Sequence, residues 1–168
     1  VADLTKPAYK GQVGIAPTNS SFQAFVAALV ENKGQEFAKS WLKGLRDNGV
    51  KIYAKNGAIV EAIDKGEISL GLVNHYYIWE VSEALGRDIN VKNGFFAAGD
   101  LGNLINVSGA GVLTSSKKQS AAEELINFLT SAAAQNEFVE KTHEYSLLEG
   151  AKQPEGLPAL LEIGAPTV

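Results

Sequence analysis

Along the first half of the chain, short unbroken apolar runs alternate with longer stretches in which apolar residues return every third or fourth position. The run "GQVGIAP", bounded by glycine and proline, predicts a buried strand over residues 12–16. In "TNSSFQAFVAALVENKG", Phe22, Phe25, Val26 and Leu29 recur at helical spacing. A Thr/Asn/Ser cluster suited to an N-cap precedes them, and Gly34 stops the helix. "QEFAKSWLKGLRDNG" repeats the pattern with Phe37, Trp41 and Leu45, closing at Asn48 and Gly49. "VKIYA" is a strand, "KNGAIVEAIDKGE" a short helix, and "ISLGLVN" a third buried strand running into a helix from Tyr76 towards Gly86. Strands alternating with helices in the order β-α-α-β-α-β-α predict an α/β fold, a mostly parallel sheet flanked by helices.

After Arg87 the texture changes. "NVKNGFFAAGDLGNLINVSGAGVLTSS" is rich in glycine and asparagine and predicts two or three extended segments. "QSAAEELINFLTSAAAQNEFVEKT" predicts two helices broken near Ser131, and the tail is loop-like with one short helix around residues 157–163. No internal repeat is present.

Composition narrows the function more than the fold. The 168 residues suit one domain, or one lobe of something larger, with enough length to bury a core. The 45% hydrophobic and 20% charged residues are ordinary for a soluble globular protein. The net charge of -4 is spread along the chain with no basic block carrying interleaved aromatics, so no nucleic-acid partner is expected. Zero cysteines remove disulfides, thiolate metal sites and a cysteine nucleophile. No apolar run nears the ~18 residues of a membrane span, so no membrane insertion is expected. The start lacks both a signal-peptide pattern and an initiator methionine, which makes a processed or excised piece the expectation.

Candidate chemistry centres on "GLVNHYYIWE". In a strand, Tyr76 and Tyr77 would face opposite ways. In the first turn of a helix they stand about 100° apart and both can lean over the carboxyl edge of the sheet, where ligands of open α/β sheets bind. Phenolate is a hard oxygen donor suited to a hard, highly charged cation. Its ordinary pKa near 10 means that deprotonation at neutral pH needs a strong positive charge such as Fe³⁺. The alternative is packing, with one ring turned inward and the other outward.

"PTNSSF" offers open backbone N–H groups at a helix start, with Asn19, Ser20 and Ser21 around them, an anion site for phosphate, carbonate or carboxylate. Simple capping by Asn19 or Ser20 is the competing reading. Asn56 and Asn74 stand at strand-to-helix turns, placed to cap their own helices or to reach a shared ligand. His75 is a packing or capping residue that gains a metal role only from its neighbours. His143 has no companion at metal-ligand spacing. "SGAG" at residues 108–111 leads towards a strand rather than a helix, so it is no dinucleotide loop. Nothing forms a recognisable catalytic frame, and no enzyme is expected.

"GQVGIAPTNSSFQAFVAAL", "NGAIVEAIDKGEISLGLVNHYY", "FFAAGDLGNLINVSGAGVL" and "HEYSL" resemble, in order and through almost the whole chain, the periplasmic ferric-iron-binding proteins. These are the solute-binding components of bacterial ABC transporters for Fe³⁺. The resemblance implies one lobe of a type II periplasmic-binding-protein fold, whose two α/β lobes are joined by crossing strands and close on the ligand. It implies Tyr76 and Tyr77 as iron-binding phenolates. It also implies a synergistic anion, carbonate or phosphate, held by backbone N–H groups at Asn19, Ser20 and Ser21 and by Asn56 and Asn74. Some relatives carry a third iron-binding tyrosine near the "PTNSSF" turn; this chain has Phe22 there, as in the two-tyrosine, anion-assisted type.

The chain matches only about the C-terminal half of such a protein. The missing N-terminal lobe would supply a histidine and a carboxylate and would pack with residues 106–142, and without it the exposed apolar faces favour self-association. The implied partner is an ABC transporter permease and the implied location is the periplasm. Two other readings remain open from the residues: a binding module for another small anionic solute, and the ligand-sensing domain of a transcription regulator.

Overall fold

A computed structural model describes residues 1–166. The central strand β1 (Val13–Ile15) is flanked by β2 (Lys51–Ile52) and β3 (Leu70–Gly71) in a parallel sheet of order β2-β1-β3. Gly14 is opposite Lys51 on one side and Gly71 on the other. The strands are shorter than the apolar runs that encode them. A parallel ladder extends only as far as its central strand offers partners, and β1 has three residues.

Alternation in β1 sends Val13 and Ile15 to one face and Gly14 to the other. On the first face lie α1 (Ser20–Lys33) and α2 (Gln35–Asp47), and Phe22, Leu29, Trp41 and Leu45 close one core with Val13 and Ile15. Gly34, at φ +85°, is the whole connection between these helices, a conformation that a side chain would strain. On the second face α3 (Asn56–Asp64) and the segment leading into β3 lie so close that a Cβ on Gly14 would come within 3.1 Å of Ile59 and 2.6 Å of Ile68. A Cβ on Gly71 would come within 2.3 Å of Ile59. Ala16, Ile59, Ala62 and Ile68 form the core there, and α4 (Tyr77–Leu85) packs beside α3 before Gly86 ends it in a left-handed cap.

The expected order β-α-α-β-α-β-α is therefore the observed one. One inward position differs: Phe37 is exposed, and Ala38, one step round the helix, is buried instead. Short 3₁₀ turns at Ala2–Thr5 and Pro7–Tyr9 precede β1 and carry no apolar period that would announce them.

The extended segments expected after Arg87 form no strand among the described residues; the one regular piece is a 3₁₀ turn at Leu101–Asn103, capped by Asp100. A strand needs a neighbour for its backbone groups, and this run pairs with none. Asn103 is buried and bonds back to the chain, accepting from Phe96 N–H at 2.8 Å and donating to the carbonyls of Phe96 and Ile163, both at 3.0 Å. It holds the returning tail from Ile163 to the first of two compact units, residues 1–106 with that tail.

The second unit, residues 107–162, contains α5 (Gln119–Leu129) and α6 (Ala132–Thr142). The break near Ser131 is present, and the Ser131 hydroxyl caps α6 by accepting the Ala134 N–H. The short helix of the tail is a 3₁₀ turn at Leu160–Glu162.

Candidate functional site

Three parallel strands place their outgoing turns at one edge of the sheet. There α1, α3 and α4 all begin, each with N-terminal N–H groups that the helix itself cannot satisfy. The chain leaves β1 towards one face and β2 towards the other, the topology at which open α/β sheets bind ligands beyond their carboxyl edge.

The start of α1 is partly closed by its own residues. The Asn19 side chain caps the helix, its Oδ1 accepting from Ser21 N–H at 2.9 Å, while the Asn19 N–H donates to Ala16 O at 3.0 Å. Of the three residues expected at the anion, only Ser20 keeps a backbone N–H with no acceptor among the described residues.

Asn56 is the first residue of α3 and is only 2% exposed. It does not cap its helix, and its amide makes no hydrogen bond among the described residues. No fully buried side-chain nitrogen or oxygen there lacks a partner, so the Asn56 amide keeps a narrow opening to solvent. A buried amide left unpaired is costly unless it faces water or a ligand.

At the start of α4, Tyr76 is the residue before the first helical turn and Tyr77 the first within it. Their ring centroids lie 4.8 Å apart with the planes tilted by 30°. The Asn74 side-chain amide donates to the Tyr76 hydroxyl at 2.9 Å and to the Ser21 hydroxyl at 3.1 Å, so it joins the tyrosine pair to α1. The His75 ring stands edge-on to Tyr76 at 5.5 Å, and its carbonyl accepts from Asn93 Nδ2 at 3.0 Å.

Burial pushes the Tyr77 pKa above the ordinary phenol value, and the neighbouring Tyr76 and the Glu80 carboxylate push the same way. Tyr77 therefore holds its proton more firmly than an ordinary phenol. Among the described residues no cluster of three or more His, Asp and Glu side chains could hold a metal ion. The hard donors gathered at this edge are phenol oxygens. His143 belongs to the second unit and ends α6 in a left-handed conformation.

Of the expected residues, Asn19, Ser20, Ser21, Asn74, Tyr76 and Tyr77 come together through the Asn74 and Asn19 bonds, and Asn56 starts the remaining helix at the same edge. The link from Asn74 to both hydroxyls is new. Its only signal in the chain is that Asn74 and Ser21 both sit at strand-to-helix turns.

The "Fe(3+)-binding periplasmic protein" of Serratia marcescens is 33% identical over 168 residues, 99% of this chain and 49% of that protein. The "Major ferric iron-binding protein" of Neisseria meningitidis serogroup B is 34% identical over 169 residues, 100% of this chain and 51% of that protein. The chain thus spans about half the length of the curated relatives it matches. The crystal structure of iron-bound HitA from Pseudomonas aeruginosa superposes with a TM-score of 0.91 at 34% identity, covering 99% of this chain and 54% of that one. This bears out the α/β class and the type II periplasmic-binding-protein fold. The family model described as "Bacterial extracellular solute-binding protein" matches residues 1–162, and the chain belongs to that family.

Proposed function

We propose that this chain is the iron-ligating C-terminal part of a two-lobed ferric-ion-binding protein of the periplasm. Tyr76 and Tyr77 bind Fe³⁺ as phenolates, and a carbonate or phosphate anion completes part of the metal shell. The observation that carries this reading is the tyrosine pair itself: two phenols with ring centroids 4.8 Å apart, at a helix start on the ligand edge of the sheet. Relatives over the full length of the chain carry ferric-iron names, which supports the choice of metal. Fe³⁺ supplies the charge needed to expel two phenol protons, and phenolate oxygen suits its hardness.

The anion sits among the helix starts. Ser20 offers its backbone N–H, Asn56 its unpaired amide, and Asn19, Ser21 and Asn74 frame the remaining wall. Binding is reversible, with no covalent step, and the loaded protein hands its cargo to an ABC transporter permease. The missing N-terminal lobe completes the iron shell and covers the exposed apolar positions of residues 106–142, Leu125 and Phe128 among them. In its absence those faces meet a second copy.

Ferric iron added with bicarbonate or phosphate is expected to give a visible phenolate-to-iron charge-transfer band. Tyr76→Phe combined with Tyr77→Phe removes it. A band that survives in the double variant assigns the iron elsewhere. Anion binding without any band would favour a module for another anionic solute.

A further inference from the structure

We infer that Asn93 is a site of spontaneous covalent modification, and that its conversion to aspartate or isoaspartate unties the turn that presents Tyr76 and Tyr77. The first half stands apart from the iron reading above; the second half bears on it.

The chain holds three Asn-Gly pairs, at residues 48–49, 56–57 and 93–94. In such a pair the glycine backbone nitrogen, unshielded by a side chain, can attack the asparagine Cγ. The new C–N bond closes a five-membered succinimide, and the carboxamide nitrogen leaves as ammonia with the hydrogen that the glycine nitrogen gives up. Water then adds to either ring carbonyl and breaks one C–N bond, giving aspartate or isoaspartate. The reaction needs no enzyme and no oxidant. It needs a glycine N–H free of other bonds, a backbone able to bend towards the ring, and water.

The fold withholds these conditions from two of the pairs. Asn48 Nδ2 donates to Lys6 O at 2.8 Å and to Leu4 O at 3.4 Å, and the Gly49 N–H donates to Arg46 O at 3.0 Å. Asn56 and Gly57 are both buried in the first turn of α3, where the backbone is fixed and water is scarce.

Asn93 and Gly94 meet all three. Residues 91–95 make no backbone hydrogen bond among the described residues. The span is tied at its two ends, Asn90 N–H donating to Asp64 Oδ1 and Phe96 N–H to Asn103 Oδ1, both at 2.8 Å. Gly94 is exposed, and beyond its chain neighbours no atom lies within 4 Å of where its Cβ would stand.

The modification removes one particular bond. Asn93 Nδ2 donates to the carbonyl of His75 at 3.0 Å, and His75 immediately precedes Tyr76. A carboxamide both donates and accepts, whereas a carboxylate only accepts. After conversion an anionic oxygen faces the carbonyl oxygen, so attraction becomes repulsion, and isoaspartate also lengthens the backbone by a carbon. The start of α4 loses its tie to this span, and with it part of what holds the two phenol rings 4.8 Å apart.

The full chain is incubated at mildly alkaline pH in heavy-oxygen water, native or in urea, then digested for mass spectrometry. In urea all three pairs should take up label. In the native chain Asn93 should lead by about tenfold or more, because the other two pairs must first open locally. Gly94→Ala, whose methyl meets no clash, should slow Asn93 severalfold. Native label at Asn48 or Asn56 equal to that at Asn93, or none at Asn93, overturns the modification site.

Asn93→Asp supplies the product directly. The near-ultraviolet circular dichroism of the tyrosine pair is read as the difference from Tyr76→Phe with Tyr77→Phe. It should weaken in Asn93→Asp while the far-ultraviolet spectrum stays the same. Fe³⁺ affinity, measured by competition with citrate, should fall about three- to tenfold, the worth of one hydrogen bond. If Asn93→Asp does not fold, the modified fraction of the aged chain, separated by charge, carries the same comparison. An unchanged near-ultraviolet signal overturns the untying whatever happens to iron. A wild-type chain that takes up no Fe³⁺ overturns the iron reading alone, and the near-ultraviolet comparison still decides this one.

Discussion

Residues 1–106 and residues 107–162 are built on opposite terms. The first unit buries apolar side chains on both faces of its sheet, with Leu29, Ile59 and Val60 fully inaccessible. In the second, α5 has no buried residue at all; Ala134, Val139 and Ser146 are buried, while Leu113, Leu125, Phe128 and Leu161 lie open. The first unit holds the means of its own stability, because area removed from water is the dominant favourable term. The second leaves many of its large apolar side chains in water. All the candidate chemistry is in the first.

The largest break in this comparison is expected from Ile59→Ala. Deleting a fully buried Ile next to both Gly14 and Gly71 should cost about 2–5 kcal/mol in denaturant unfolding. Phe128→Ala, at 61% exposure, should change the stability of the chain by less than about 0.5 kcal/mol. Equal losses would end the distinction between the units.

Iron uptake sharpens the same contrast. Burial, then Tyr76 and Glu80, raise the Tyr77 pKa, so its phenol keeps its proton to a higher pH than an ordinary phenol does. In the site proposed above, Fe³⁺ binding expels that proton together with the one on Tyr76. Apparent affinity therefore rises with pH, by about a hundredfold per unit for two protons released. Proton release on adding Fe³⁺ at constant pH should count about two, and the count should fall by one in Tyr77→Phe.

Close packing supplies a smaller test. Gly71→Ala drives a methyl to 2.3 Å from Ile59 and should destabilise by about 1–3 kcal/mol. Gly111→Ala, with nothing within 4 Å of the new atom, should be near neutral. The smallest effect on stability is expected from Leu125→Ser with Phe128→Ser. Its readout is association: sedimentation should show less dimer than the parent chain, with the unfolding midpoint almost unchanged.

The division between the units also marks where the chain was legible. The order of strands and helices in the first unit follows from apolar period and glycine punctuation, because each element finds its partner within that unit. Phe37 shows the limit of period alone, since the neighbouring Ala38 fits the tight approach of α2 and the larger ring turns outward. Between Arg87 and Ser116 the apolar residues suggested strands, yet a strand is made by its neighbour and none is present among the described residues.

The site was legible as a set of turns, since Asn19, Asn56 and Asn74 each stand where a strand gives way to a helix. Its internal bonds were not. Whether the Ser21 N–H points outward or returns to Asn19, and whether Asn74 reaches Tyr76, depends on side-chain rotamers that no spacing encodes.

Resonance Raman spectroscopy of the iron-loaded chain, excited in its visible band, tests the central claim most directly. With ring-deuterated tyrosine incorporated, enhanced tyrosinate modes should appear and shift with the label, weaken in either single Phe variant, and vanish in Tyr76→Phe with Tyr77→Phe. Enhanced modes that persist in the double variant, or an iron complex with no tyrosinate modes at all, would contradict the account.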